Sequence, residues 1–156
     1  STAWDVSTAS YASKSFSVST QDAAPIGIGW NDDGTKMYMA GGFSDTIYQY
    51  TLSTAWDVST ASYASKSFSV STLDGNPRQI NFSPTGDKLW FTGLSSDYVY
   101  ELDLSTDFDI STASYNNINY SAGTQDSSPI STFFKSDGSK MYVLGIANDT
   151  IYQYST

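Results

Sequence analysis

The segment STAWDVSTASYASKSFSVST at residues 1–20 recurs letter for letter at 53–72, and a diverged third copy, STDFDISTASYNNINYSAGT, begins at 105. The chain therefore reads as three tandem units, 1–52, 53–104 and 105–156, with a constant period and no insertion. A repeat of this length is one supersecondary module that buries its apolar surface on its neighbours. Identity over a whole 20-residue stretch points to a recent duplication or to deliberate assembly from one template.

Each unit carries four short runs with strand-like patterning, and none shows a helical period. In the first unit they are 10–19, with Tyr11, Phe16 and Val18 among serines; 26–30, IGIGW; 36–40, KMYMA; and 46–52, TIYQYTL. Turn-forming segments separate them. Asn31-Asp32-Asp33-Gly34 is a hairpin signal, because glycine supplies a left-handed backbone at no steric cost. Four strands in a unit of this size predict the four-stranded antiparallel blade of a β-propeller, so the fold class is all-β, with three blades in one domain over 1–156.

The third run and its approach are more specific. NDDGTKMYMAG at 31–41, SPTGDKLWFTG at 83–93 and KSDGSKMYVLG at 135–145 resemble the signature of bacterial YVTN-type propeller repeats, which are similar to WD40 blades. The segments that follow, SDTIYQYTL, SDYVYELDL and NDTIYQYST, resemble that family's strand leading to the blade edge. The resemblance implies an innermost strand A at 26–30, 78–82 and 130–134, and a strand B at 36–40, 88–92 and 140–144. Strand C follows at 46–52, 98–104 and 150–156. It also implies that the Ser-rich run opening each unit is the outermost strand D of the preceding blade. Residues 10–19 would then be a D strand without its blade, and the third blade would lack its D strand. The expectation is a half-propeller that pairs with itself as a homodimer, two chains making six blades, with residues 11–19 of one chain against 150–154 of the other.

Composition narrows the chemistry. The chain has neither cysteine nor histidine, which removes thiolate sites and the usual general base near neutral pH. Seven basic against sixteen acidic residues give a net charge of -9, so nucleic acid and anionic membranes are poor partners. The D–A loops carry Asp22, Asp74 and Asp126, and the B–C loops carry Asp45, Asp97 and Asp149, all expected on one face. Carboxylates among Gly, Ser and Asn can hold calcium or sugar hydroxyls, or accept N–H bonds in their own turns, and the identical placement in every unit fits the turn role well. These six are the candidate ligand-binding residues.

Trp4, Trp56 and Phe108 share one position on the opposite face, as plugs between blades or as stacking surfaces for a sugar ring. Gly27 and Gly29 would receive a neighbour's bulky side chain. Arg78 is the only arginine and opens an inner strand; Glu101 is the only glutamate. The sequence is thus expected to be a non-enzymatic binding or scaffold module, with glycans as candidate partners and without cofactor, metal or catalytic residues. The alternatives are a natural or engineered repeat scaffold without a ligand and, third, a metal-dependent lactonase. An extracellular, cell-surface or virion-associated setting is expected.

Overall fold

The computed structural model describes residues 3–156. The described residues form three antiparallel sheets. The first runs β1 (Pro25–Trp30), β2 (Lys36–Gly41), β3 (Thr46–Leu52) and β4 (Ala61–Ser69), paired in that order. The second runs β5 (Pro77–Phe82), β6 (Lys88–Gly93) and β7 (Tyr98–Leu104). Both β8 (Ala113–Ser114) and β9 (Asn119–Ser121) lie on the outer edge of β7. The third has three strands, β10 (Pro129–Phe134), β11 (Lys140–Gly145) and β12 (Thr150–Ser155). The fourth strand of each complete sheet comes from the start of the next sequence unit, as expected. This all-β architecture of sheets stacked side by side is consistent with part of a β-propeller.

The hairpins form where the sequence predicts. Gly34, Gly86 and Gly138 all take positive φ, at 72°, 79° and 73°. In the first hairpin the Asn31 side chain accepts from the Lys36 N–H at 2.8 Å, and Asp33 accepts from the Thr35 N–H at 2.8 Å. Short polar side chains thus satisfy the backbone groups that the turn removes from the ladder.

Two strands depart from expectation. Residues 10–18 form no strand, and none of the described strands pairs with them. They still lie against the first sheet, where Phe16 and Val18 cover Met37, Met39 and Tyr50. The fourth strand of the second sheet is split around Asn117, whose φ is 61°. Ser65 takes the same left-handed conformation at the equivalent position, φ 56°, where β4 absorbs it as a register shift against Gln49 and Tyr50. The Asn-Asn-Ile-Asn of the third unit breaks the pairing there instead.

Sheets one and two bury the main core between them, built on Tyr38, Ala40, Ile47, Ile80, Leu89, Phe91, Leu102 and Ile110. Their inner strands meet closely. A Cβ on Gly27 would lie 2.4 Å from the Arg78 carbonyl oxygen, and one on Gly29 would lie 3.2 Å from the Ile80 side chain. Gly29 therefore receives a bulky neighbour as predicted, whereas Gly27 meets backbone. Sheets two and three are joined by the Trp90–Phe134 stack at 4.3 Å and by Asn81 Nδ2 donating to the Thr132 carbonyl at 2.6 Å.

Candidate functional site on the loop face

Strand pairing fixes the loop face. Pro25 pairs with Gly41, Gly41 with Thr46, and Thr46 with Ser69. The D–A and B–C connections of each sheet therefore emerge at one end, and all six candidate aspartates lie there.

The two sets of aspartates do different things. Asp22, Asp74 and Asp126 are buried. Asp22 accepts from the Ala24 N–H at 2.6 Å, the Ser44 N–H at 2.8 Å and the Ser44 hydroxyl at 2.7 Å. Asp74 repeats the pattern with Asn76 and Ser96, and Asp126 with Ser128 and Asn148. Each carboxylate ties its own D–A loop to the B–C loop of the same sheet. For Asp22, burial works to raise the pKa, but the Ser44 hydroxyl and the N–H groups of Ala24, Ser44 and Phe43 outweigh it and hold the value below the ordinary 3.8. Asp126 is lowered in the same way: burial opposes, and the N–H groups of Ser128, Asn148 and Ala147 prevail.

Asp45, Asp97 and Asp149 sit in left-handed backbone, φ 49°, 62° and 51°. Asp45 and Asp97 work through the main chain, their carbonyls accepting from Val70 N–H at 2.7 Å and Ala122 N–H at 2.8 Å, which latches the end of each fourth strand. Their side chains are left for other partners. The six aspartates are not gathered into one cluster: among the described residues, no group of three or more carboxylates could hold a metal ion.

Among the described residues four side-chain polar atoms are buried without a hydrogen-bond partner, and three of them lie near this face: Asp45 Oδ1, Arg78 Nε and Gln125 Oε1. Such atoms are rare in folded proteins and point to a missing partner. Gln125 has no distinguishing sequence signal, since a leucine, Leu73, stands at the same repeat position. Glu101 lies elsewhere, on β7, accepting from Trp90 Nε1 at 2.9 Å and pairing with Lys88.

On the opposite face one of the three residues at the shared aromatic position, Phe108, is a plug between sheets. Phe108 packs on Phe82 at 5.5 Å, while its carbonyl accepts from the Tyr38 hydroxyl of the first sheet at 2.6 Å. Two residues on, the Ile110 N–H donates to Gln49 Oε1 at 2.9 Å. Trp56 stacks on Trp30 at 5.3 Å. Gln49, fully buried, was not singled out by sequence because it alternates with tyrosines on an ordinary strand.

No family model matches the sequence, and no curated protein does. Solved structures match in fold. A candidate 6-phosphogluconolactonase from Bacteroides fragilis superposes with a TM-score of 0.65 at 16% identity, over 84% of this chain and 34% of that one. The periplasmic gluconolactonase of Pseudomonas aeruginosa gives 0.58 at 14%, over 85% and 37%. The β-propeller domain of Swd1 from Myceliophteria thermophila gives 0.56 at 9%, over 84% and 39%. The chain thus spans 34% to 39% of the length of these structures.

These matches correct three expectations. The YVTN-type, WD40-like attribution is corrected: the propellers this chain resembles include gluconolactonases, with TM-scores of 0.65 and 0.58, and at 16% and 14% identity that likeness is one of fold alone. The sequence motif that suggested it marks a hairpin leading into a hydrophobic strand, a solution open to any propeller. The expectations of a non-enzymatic module and of a lectin-like role are corrected too: the propellers that this chain resembles in fold include ones named as gluconolactonases, so the fold does not favour a module without catalysis. The first rests on incomplete closure and on the absence of catalytic residue types, the second on the loop aspartates and the acidic surface, and neither feature distinguishes one propeller from another.

Proposed function

We propose that the chain supplies three blades of a lactonase-type propeller, completed to six blades by a second copy, that hydrolyses a sugar lactone at its loop face. The observation that carries this reading is the set of unpartnered polar atoms of Asp45, Arg78 and Gln125 near that face, in a fold shared with lactonase-named propellers. The reaction needs only water. Water adds to the lactone carbonyl, the ring C–O bond breaks, and the ring oxygen leaves as a hydroxyl. A guanidinium stabilises charge growing on the carbonyl oxygen, and a carboxylate can take the proton from the attacking water. Arg78 and Asp45 offer those two groups, and no step requires a metal.

The test is hydrolysis of glucono-δ-lactone and of its 6-phosphate in a pH-stat, against the spontaneous rate. The expected result is catalysis of at least one of them, reduced about tenfold or more by Arg78→Ala, the scale on which loss of one charge-stabilising donor acts. Rates equal to buffer for both substrates would overturn the reading.

A further inference from the structure

A groove of about 480 Å³ opens between the second and third sheets, walled by Trp90, Glu101 and Tyr120 on one side and Phe134, Met141 and Tyr154 on the other. Between the first and second sheets the equivalent groove is filled by residues 108–112 of this same chain. There Phe108 lies on Phe82, Ile110 is completely buried, and the Ile110 N–H reaches Gln49 Oε1. One repeat further along, Phe134 stands where Phe82 does and Glu101 where Gln49 does.

We infer that the groove between the second and third sheets is the seat for Trp4, Asp5 and Val6 of a second copy, whose residues 9–17 then pair along β12 as the missing fourth strand. The inference rests on the two-copy reading above. Residues 4–6 are the repeat counterpart of 108–110, and they are already shaped for the seat. Trp4 takes φ 65° against 55° for Phe108. The Asp5 carboxylate accepts from the Ser7 N–H at 3.0 Å, as Asp109 does from Ser111 at 3.1 Å. Yet Trp4 is 103% and Val6 89% exposed in their own chain.

The hairpin glycines show what is missing. A Cβ on Gly34 would strike the Trp56 ring at 2.3 Å and one on Gly86 the Phe108 ring at 2.2 Å, whereas one on Gly138 would meet none of the described residues within 4 Å. The ring due over Gly138, by the repeat, is that of Trp4 from the second copy. Glu101 then takes the Val6 N–H as Gln49 takes that of Ile110. The register follows from β3 and β4, where Ile47 faces Phe68 and Thr51 faces Ser62. It sets Ile151 opposite Phe16 and Ser155 opposite Ser10 of the second copy. The Lys14–Asp57 ion pair, 2.6 Å, repeats Lys66–Asp109 and already holds the segment around residues 9–17 beside its own first sheet, at the position a preceding blade would give it.

The chain has no cysteine, so a Ser10→Cys, Ser155→Cys double variant carries the only two thiols. Both positions are exposed, and the Thr51 and Ser62 oxygens at the equivalent pair lie 3.3 Å apart. On mild oxidation a covalent dimer is expected on a non-reducing gel, and neither single variant should give one in comparable yield. Val6→Asp should weaken self-association at least tenfold. A dimer in solution whose double variant stays as free thiols, or closes within one chain, would overturn the seating and leave the two-copy reading standing. A particle of single-chain mass would overturn both.

Discussion

The closed junction between the first two sheets and the open faces at either end use the same repeat positions, and burial differs completely. Ile80 is 1% exposed in the second sheet, while its counterpart Ile28 in the first is 54% exposed. Ile47 is fully buried on β3, and Ile151 on β12 is 68% exposed. The side chains and strands are alike, so the difference lies in the neighbour. Phe133, Ile146 and Ile151 on one end, and Ile26 and Ile28 on the other, make apolar surfaces of the kind that soluble proteins cover by association. The outer edge of β12 adds a row of unpaired backbone groups. A repeat module stores its core partly in the next module, and a single unit's sequence does not say where that module comes from.

Truncating the paired isoleucines should test that contrast most severely. Ile80→Ala, in the closed junction, is expected to cost about 2–5 kcal/mol in denaturant unfolding. Ile28→Ala is expected to cost a similar amount in the assembled protein, with a dependence on concentration. A cost below about 0.5 kcal/mol, the scale of ordinary surface substitutions, would mean that the face is open in solution.

A smaller effect is expected from the loop pins. Asp74→Ala strands the N–H groups of Asn76 and Ser96 and should cost about 1–3 kcal/mol. Asp149→Ala, on an exposed loop at the open end, should stay within about 0.5 kcal/mol, read from the same melts. Equal losses at the two sites would show that the open end is as constrained as the closed junction.

Acid should follow in size. The pKa values of Asp22 and Asp126 are lowered in the folded state, so their contribution is present above the unfolded value and is lost as pH falls through the folded value. Stability should hold from pH 7 to about 5 and decline only below about pH 4. Tyr50 acts at the other extreme. Burial raises its pKa to about 12, so its contribution is complete below about pH 10 and is lost as pH rises towards 12. Melting curves across pH check both limbs, and unfolding already at pH 6 would contradict the carboxylate account.

The ion pairs should matter least. Lys14→Ala and Lys66→Ala break equivalent pairs whose lysines are 49% and 37% exposed, and each should cost less than about 1 kcal/mol. A clearly larger loss for Lys14 would mean that the N-terminal segment depends on that contact to stay in place.

Much of the sheet plan was legible from the residues. Alternation and the Asn31–Gly34 turn placed β1, β2 and β3 to within a residue or so, because local patterning and turn chemistry decide those elements. The loop aspartates were legible as turn acceptors but not as ties between two loops, since Asp22 reaches Ser44 across the sheet rather than along the sequence. The wedge at Phe108 was seen as an aromatic plug. Its left-handed backbone and the Gln49 acceptor were not, because both depend on contacts between different units. The likeness to lactonase-named propellers was not legible either, because a fold shared at 14–16% identity leaves no contiguous motif.

The central claim is that the exposed end faces are covered by a second copy of the same chain. Sedimentation-equilibrium mass at micromolar concentration tests it directly. The account predicts a particle of twice the 16.9 kDa chain mass, and a particle of 16.9 kDa would contradict it.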